Sequence, residues 1–130
     1  MKTKQEMDAL CEKVIAACIE VHRHLGPGLL ERVYHAALAI EFGLRAMAFV
    51  DEYDVQGTFK GHKLGLAYCA DFLVEENLIV EIKSVDEMTP RHLATAIGYV
   101  SLSEKPSGLL INFNVPKLID GVKRLINPRR

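Results

Sequence analysis

The apolar residues of this chain change their period twice, and that alternation limits the architectures open to it. Up to Leu44 they recur every three or four positions, as on helices with one buried face. From Ala48 to Val85 they alternate or run together, as in strands. Beyond Thr89 the helical spacing returns. A chain that passes from helices to strands and back, without an internal repeat, is expected to lay helices against one mixed sheet in an α/β arrangement.

The spacing predicts a first helix from Lys4 to Leu25, with Leu10, Val14, Cys18, Val21 and Leu25 on its core stripe. Gly26-Pro27-Gly28 then breaks it. A second helix, Leu29 to Leu44, carries two apolar stripes, Leu30–Val33–Ala37–Ile40–Leu44 and Tyr34–Leu38–Phe42. Most of its circumference is therefore expected to be buried. Strands follow over Ala48–Thr58 and His62–Tyr68, joined at Phe59-Lys60-Gly61, then over Ala70–Val74 and Leu78–Val85, joined at Glu75-Glu76-Asn77. The segment LIVEIKSV is mostly apolar or β-branched and reads as a central strand. Thr89 is placed to cap a third helix, with Pro90 in its first turn. Leu93, Ile97 and Val100 form its core stripe, and His92, Thr95 and Tyr99 a neighbouring one. Leu109–Asn114 is a further strand, and Val122–Ile126 a short strand or helix. With 130 residues and no linker, one domain over residues 1–130 is expected.

Composition removes several classes. Hydrophobic residues at 49% and charged residues at 25% are ordinary for a globular fold, which excludes disorder and collagen. No apolar run approaches the ~20 residues of a membrane span. The opening MKTKQEMDALCEK has no uninterrupted hydrophobic region, so a cytoplasmic protein without a secretory signal is expected. Sixteen basic against seventeen acidic residues leave a net charge of −1, so only a local basic patch would attract nucleic acid. Cys11 and Cys18 lie about 10 Å apart along a helix, too far for a disulfide, and no CxxC pair suggests zinc. No G-x-S-x-G, G-x-x-x-x-G-K-[ST] or G-x-G-x-x-G occurs, which argues against serine hydrolases, P-loop NTPases and dinucleotide enzymes.

The strongest chemical signal is Asp71 followed by Glu81-Ile82-Lys83. In a strand, Glu81 and Lys83 project from one face and Ile82 from the other. A tight turn at Glu76 would bring Asp71 across to Glu81. Paired carboxylates are hard oxygen ligands that suit Mg²⁺ or Mn²⁺. Such a metal would acidify a bound water and screen a phosphate. A neighbouring lysine would orient that water or stabilise developing negative charge. The same spacing also fits an exposed Glu81–Lys83 ion pair, with Asp71 merely near a strand end. Glu31 reads either as dipole compensation at a helix start or, beside Tyr34 and Leu38, as a partly buried carboxylate in need of a cation. His22, His24 and His62 are expected to be surface or capping residues, and His35 a hydrogen-bond partner of Glu31. His92 and Tyr99 would either contact a phosphate or pack.

Beyond these local readings, Gly28-Leu29-Leu30-Glu31-Arg32-Val33-Tyr34 resembles the signature of the GxxExxY proteins. GPGLLERVYHAAL, YCADFLV, LIVEIKSV, HLATAIGYV and LLINFNVPKL follow in that family's order, from about residue 10 to residue 126. The resemblance implies a PD-(D/E)XK nuclease-like core and a Mg²⁺-dependent phosphodiester site. It implies a metal-binding role for Asp71, Glu81 and the helix glutamate Glu31, with Lys83 completing the E-x-K pair. Tyr99 matches a tyrosine on the following helix. The chain departs from the family at Thr95, where glutamine is common, and at Cys69, where arginine is common. Three readings stand: a metal-dependent nuclease using Asp71, Glu81, Glu31 and Lys83, with Tyr99, His92 and Thr95 on the substrate; an accessory nucleic-acid-binding module that keeps the fold; or a structural dimer with a vestigial metal site. The expected cofactor is Mg²⁺ or Mn²⁺. The expected partners are nucleic acid, DNA before RNA, and a second copy of the chain, with no membrane.

Overall fold

The computed structural model describes residues 2–129. Two helices, α1 (Lys4–Leu25) and α2 (Glu31–Leu44), precede strands β1 (Phe49–Phe59), β2 (His62–Val74) and β3 (Leu78–Lys83). Helix α3 (Pro90–Ser103), strand β4 (Ser107–Asn112), a 3₁₀ turn over Leu118–Gly121 and strand β5 (Val122–Ile126) follow. The sheet runs in the order β1-β2-β3-β4-β5. Only β3 and β4 pair in parallel, and α3 makes the crossover between them. This is the mixed sheet with flanking helices that the changing period predicts.

Local chemistry sets the element ends. Thr3 accepts from the Glu6 amide at 3.1 Å and Glu6 returns a bond to the Thr3 amide at 3.0 Å, closing a capping box on α1. Thr89 caps α3 in the same way, with His92 as its reciprocal partner and Pro90 in the first turn. The two hairpin turns take left-handed backbone at Lys60-Gly61 and at Glu75-Glu76, the twist that matches paired strands.

The sheet is covered on both faces. Phe72, Val74, Leu78, Val80, Ile82, Leu109, Ile111 and Phe113 pack under α1 and α2. Ala70, Leu73, Ile79, Leu110 and Leu125 pack under α3 through Ala96 and Val100. Strands β3 and β4 are thus buried on both sides, which accounts for their nearly continuous apolar sequence.

Several expectations need correction. His62–Tyr68 and Ala70–Val74 are not separate strands; they form one strand, because Cys69 stays extended opposite Asp54 and no turn residue interrupts it. Helix α2 is buried on one stripe only. Tyr34, Leu38 and Phe42 face the sheet, while Leu30, Ile40 and Leu44 are exposed, because only one side of α2 meets the body of the protein. His22 is not a surface residue: it is buried, with Nε2 2.8 Å from the Val115 carbonyl oxygen. Val122–Ile126 is a strand, held antiparallel to β4. Among the described residues no helix is long and apolar enough to cross a membrane.

Gly121 lets the 3₁₀ turn approach the end of β4: an added Cβ would lie 2.1 Å from the Asn112 carbonyl oxygen. Gly121→Ala is expected to destabilise the protein by about 2 kcal/mol or more, read as a lower urea midpoint at unchanged slope.

Candidate active site

The pairing of β2 with β3 covers Val74↔Leu78, Leu73↔Ile79 and Phe72↔Val80, and stops there. The next two residues, Asp71 and Glu81, replace the ladder with side chains. The Asp71 amide donates to Glu81 Oε1 at 3.0 Å, and the Ile82 amide donates to Asp71 Oδ2 at 2.8 Å. β3 continues in register with β4 as far as Lys83↔Asn112, so it is β2 that parts from the sheet. The carboxylates sit in the resulting fork, and the approach of Asp71 to Glu81 is as the hairpin reading requires.

From the fork the two acids face different spaces. Glu81 opens into a cavity of about 280 Å³ on the α3 side, lined by Tyr68, Lys83, Arg91, His92, Thr95 and Tyr99 among others. Asp71 lines a groove of about 260 Å³ on the α2 side with Glu31, Arg32, His35 and Glu52. His92, Thr95 and Tyr99 are therefore gathered beside Glu81 and Lys83, whereas Glu31 is on the other side of the fork. Glu31 is exposed rather than partly buried, because α2 begins at Glu31 with its first turn in solvent.

Glu81 is only 4% exposed. Burial pushes its carboxyl up from 4.5 to about 7; the Asp71 amide and Lys83 pull in the opposite direction without cancelling it, and Glu31 adds to the rise. The Tyr68 hydroxyl donates to Glu81 Oε2, and the Tyr68 ring stacks on Tyr99 with centroids 3.9 Å apart. His35 does not bond Glu31. Its Nδ1 lies 2.8 Å from Asp71 Oδ1, its Nε2 lies 2.5 Å from Asp51 Oδ1, and its ring stacks on Phe72. Burial would lower the His35 pKa, but the bonds to Asp51 and Asp71 outweigh it and hold the pKa above the usual value. His92 accepts from the Thr89 amide at Nδ1, which leaves the hydrogen of a neutral ring on Nε2.

The loops that frame the site are tied by polar anchors. Tyr34 donates to the Gly26 carbonyl at 2.5 Å and accepts from the Leu29 amide at 3.1 Å, fixing the turn that delivers Glu31. Ser84 Oγ donates to the Leu29 carbonyl at 2.5 Å. The buried Asn112 amide brackets Val85, donating to its carbonyl at 2.9 Å and accepting from its N–H at 3.1 Å. The segment after Lys83 is thereby held against both the turn that precedes α2 and β4.

Residues 8–125 match the family described as the PD-(D/E)XK nuclease superfamily. The chain belongs to that superfamily. No curated protein and no solved structure matches it. Superfamily members use divalent metals, and the donor set in the fork can be tested against one. Two carboxylates supply four oxygens, each with a lone pair left after the protein hydrogen bonds described above. Mg²⁺ binds in this manner, through one or two carboxylates with water and substrate oxygens completing its shell. Glu81 also lacks a nearby cation sufficient to offset its burial, and a bound ion would provide one. The two acids fit such an ion. Among the described residues no group of three or more His, Cys, Asp or Glu is arranged to hold a metal, so Glu31 does not join them as a direct ligand in this geometry.

Tyr68 and the Asp51–His35–Asp71 chain have no counterpart in the sequence reading. Alternation along an unbroken strand would put Tyr68 and Asp71 on opposite faces, and nothing local announces the fork that lets both serve the site. For Glu81, the folded-state carboxyl lies above its unfolded value of 4.5, so proton uptake favours the fold. That contribution is fully present below about pH 4.5 and is lost as pH rises through about 7. Urea unfolding in EDTA should show Glu81→Gln gaining about 3 kcal/mol on the wild type between pH 4.5 and 8.

Proposed function

We propose that this chain is a metal-dependent phosphodiesterase that cleaves nucleic acid, DNA in the first instance, and that it is one of the GxxExxY proteins of its superfamily. The observation that carries this reading is the Asp71–Glu81 fork, with Lys83 beside Glu81 in a cavity of about 280 Å³. Asp71 and Glu81 would hold Mg²⁺ or Mn²⁺, with Glu31 reaching it through water. When bound, the ion would acidify a water and neutralise charge on the scissile phosphate. Lys83 shares a face with Glu81 and is half-buried in the same cavity, and its ammonium would orient the attacking water and stabilise negative charge in the transition state. Arg91, the Nε2–H of His92 and the Tyr99 hydroxyl line the same cavity and would donate to phosphate oxygens. Thr95 is short and would add one hydroxyl where a longer amide would reach further.

A second reading, an accessory nucleic-acid-binding module, is favoured by one feature. Tyr68, His35 and two backbone amides each engage one oxygen of the acidic pair, so every oxygen a metal would use already carries one protein hydrogen bond. If those bonds weaken the oxygens enough that no metal is held, the chain would bind nucleic acid without turnover.

Incubation of DNA and RNA substrates with Mg²⁺, Mn²⁺ or EDTA distinguishes the two. The hydrolase reading requires cleavage that EDTA abolishes and that Lys83→Ala lowers by about a hundredfold or more with the fold intact. Full activity of Lys83→Ala would remove Lys83 from the mechanism. Independently of turnover, millimolar Mg²⁺ should raise the melting temperature of the wild type, since it binds the folded state alone. Asp71→Asn should lose that rise.

A further inference from the structure

The β1–β2 hairpin is longer than the fold needs. β1 and β2 span 11 and 13 residues, whereas β3 and β4 span 6 each. Beyond the Val55↔Tyr68 pair the two strands touch only each other within the sheet, and no residue from 58 to 66 belongs to either core. Phe59, Leu64 and Leu66 are 61%, 58% and 60% exposed. We propose that residues 58–66 form an arm that grips the backbone of a nucleic-acid duplex beside the Glu81–Lys83 cavity. The proposal rests on the nucleic-acid part of the preceding reading and not on hydrolysis.

Charge is the first argument. From Val55 to Ala70 the chain holds no aspartate or glutamate, while Lys60, His62 and Lys63 crowd the tip. In a molecule of net charge −1 this is a local excess of positive charge, and it sits on the most extended element. Among the described residues neither Lys60 nor Lys63 forms an ion pair; Lys60 Nζ instead lies 5.6 Å from the centroid of Phe59. Two ammonium groups left to solvent beside an exposed aromatic ring suit phosphates next to sugars and base edges.

Position is the second argument. The arm is rooted in the site: Tyr68, at its base, donates to Glu81 and stacks on Tyr99. It is braced on α3, since a Cβ on Gly57 would come within 3.4 Å of Leu102 Cδ2 and 3.2 Å of Leu64 Cδ1. The Lys60 end of the turn lies five residues beyond Val55, about 16 Å at the rise of a strand. That reach corresponds to about five base pairs of duplex. A strand whose phosphate lies in the cavity would pass its backbone under Lys60 and Lys63. A second copy of the chain fits the arm less well, because two-fold pairing of identical arms would set these cations against one another.

The test is fluorescence anisotropy in EDTA, with labelled 30-base-pair DNA and RNA duplexes titrated by wild type, Lys60→Glu/Lys63→Glu, Lys60→Gln/Lys63→Gln and Lys123→Glu. Lys123 lies on β5 at the opposite edge of the sheet and serves as the control. The charge reversal should weaken binding at least about tenfold near 50 mM salt, and the glutamine pair should weaken it less. Both should reduce the slope of log K against log salt by about two, as two lost phosphate contacts require. Lys123→Glu should leave both quantities unchanged. Unchanged affinity and slope in the arm variants would overturn the proposal, as would a wild type that binds neither duplex. So would Phe59→Asp converting a dimer to a monomer in light scattering at unchanged duplex affinity, since the arm would then serve a second copy. A wild type that binds through the arm but never cuts with Mg²⁺ or Mn²⁺ would overturn the hydrolase reading and leave the arm standing.

Discussion

The parting of β2 from β3 is the constraint on which the candidate site depends. A sheet satisfies its backbone through ladder hydrogen bonds, and a strand that leaves its neighbour must satisfy them otherwise. Here the Asp71 amide turns to the Glu81 carboxylate and the Ile82 amide to the Asp71 carboxylate. The two acids therefore complete the backbone and are positioned by it. β3 tolerates the separation because β4 holds its other edge in parallel register along its whole length. A change that closed the fork would remove the space between β2 and β3 in which the carboxylates lie.

Burial then determines what those acids can do. Glu81 is enclosed by Tyr68, by the sheet and by α3, and its carboxyl rises to about 7 because water is excluded more effectively than charge is supplied. Asp71 is only half-buried, and His35, itself flanked by Asp51, is its partner. Burial dominates at Glu81, whereas Asp71 is hydrogen-bonded to a His35 whose pKa the flanking acids raise. Perturbed acids cluster at functional sites, and structural ion-pair networks perturb them as well.

Stability and site geometry share the same anchors. Tyr34 is wholly buried, stacks on Phe113 at 4.6 Å and fixes the Gly26–Leu29 turn through its hydroxyl. Asn112 closes β4 and fastens the segment that follows Lys83. These groups need not touch a substrate to matter. They hold the start of α2, which carries Glu31, and the end of β3, which carries Glu81 and Lys83.

The elements themselves were legible in the residues, because periodicity, caps and turns act over a few positions. The capped start of α3, both hairpin turns and the central strand LIVEIKSV follow from local chemistry alone. The juxtaposition of Asp71 with Glu81 was legible too, since a tight turn fixes which residues face one another across a hairpin. Other features are decided only by packing. Whether α2 buries one stripe or two depends on how many surfaces meet it, and its sequence is apolar on both. The partner of His35 lies on a strand, not one turn away on its own helix, because α2 docks across β2. Tyr68 reaches Glu81 because the strands diverge, and divergence is a property of the whole sheet. Residue identity settles which groups can ionise, ligate or donate; packing settles which of them meet and how dry the meeting place is, because distance and solvent exclusion arise from residues far apart along the chain.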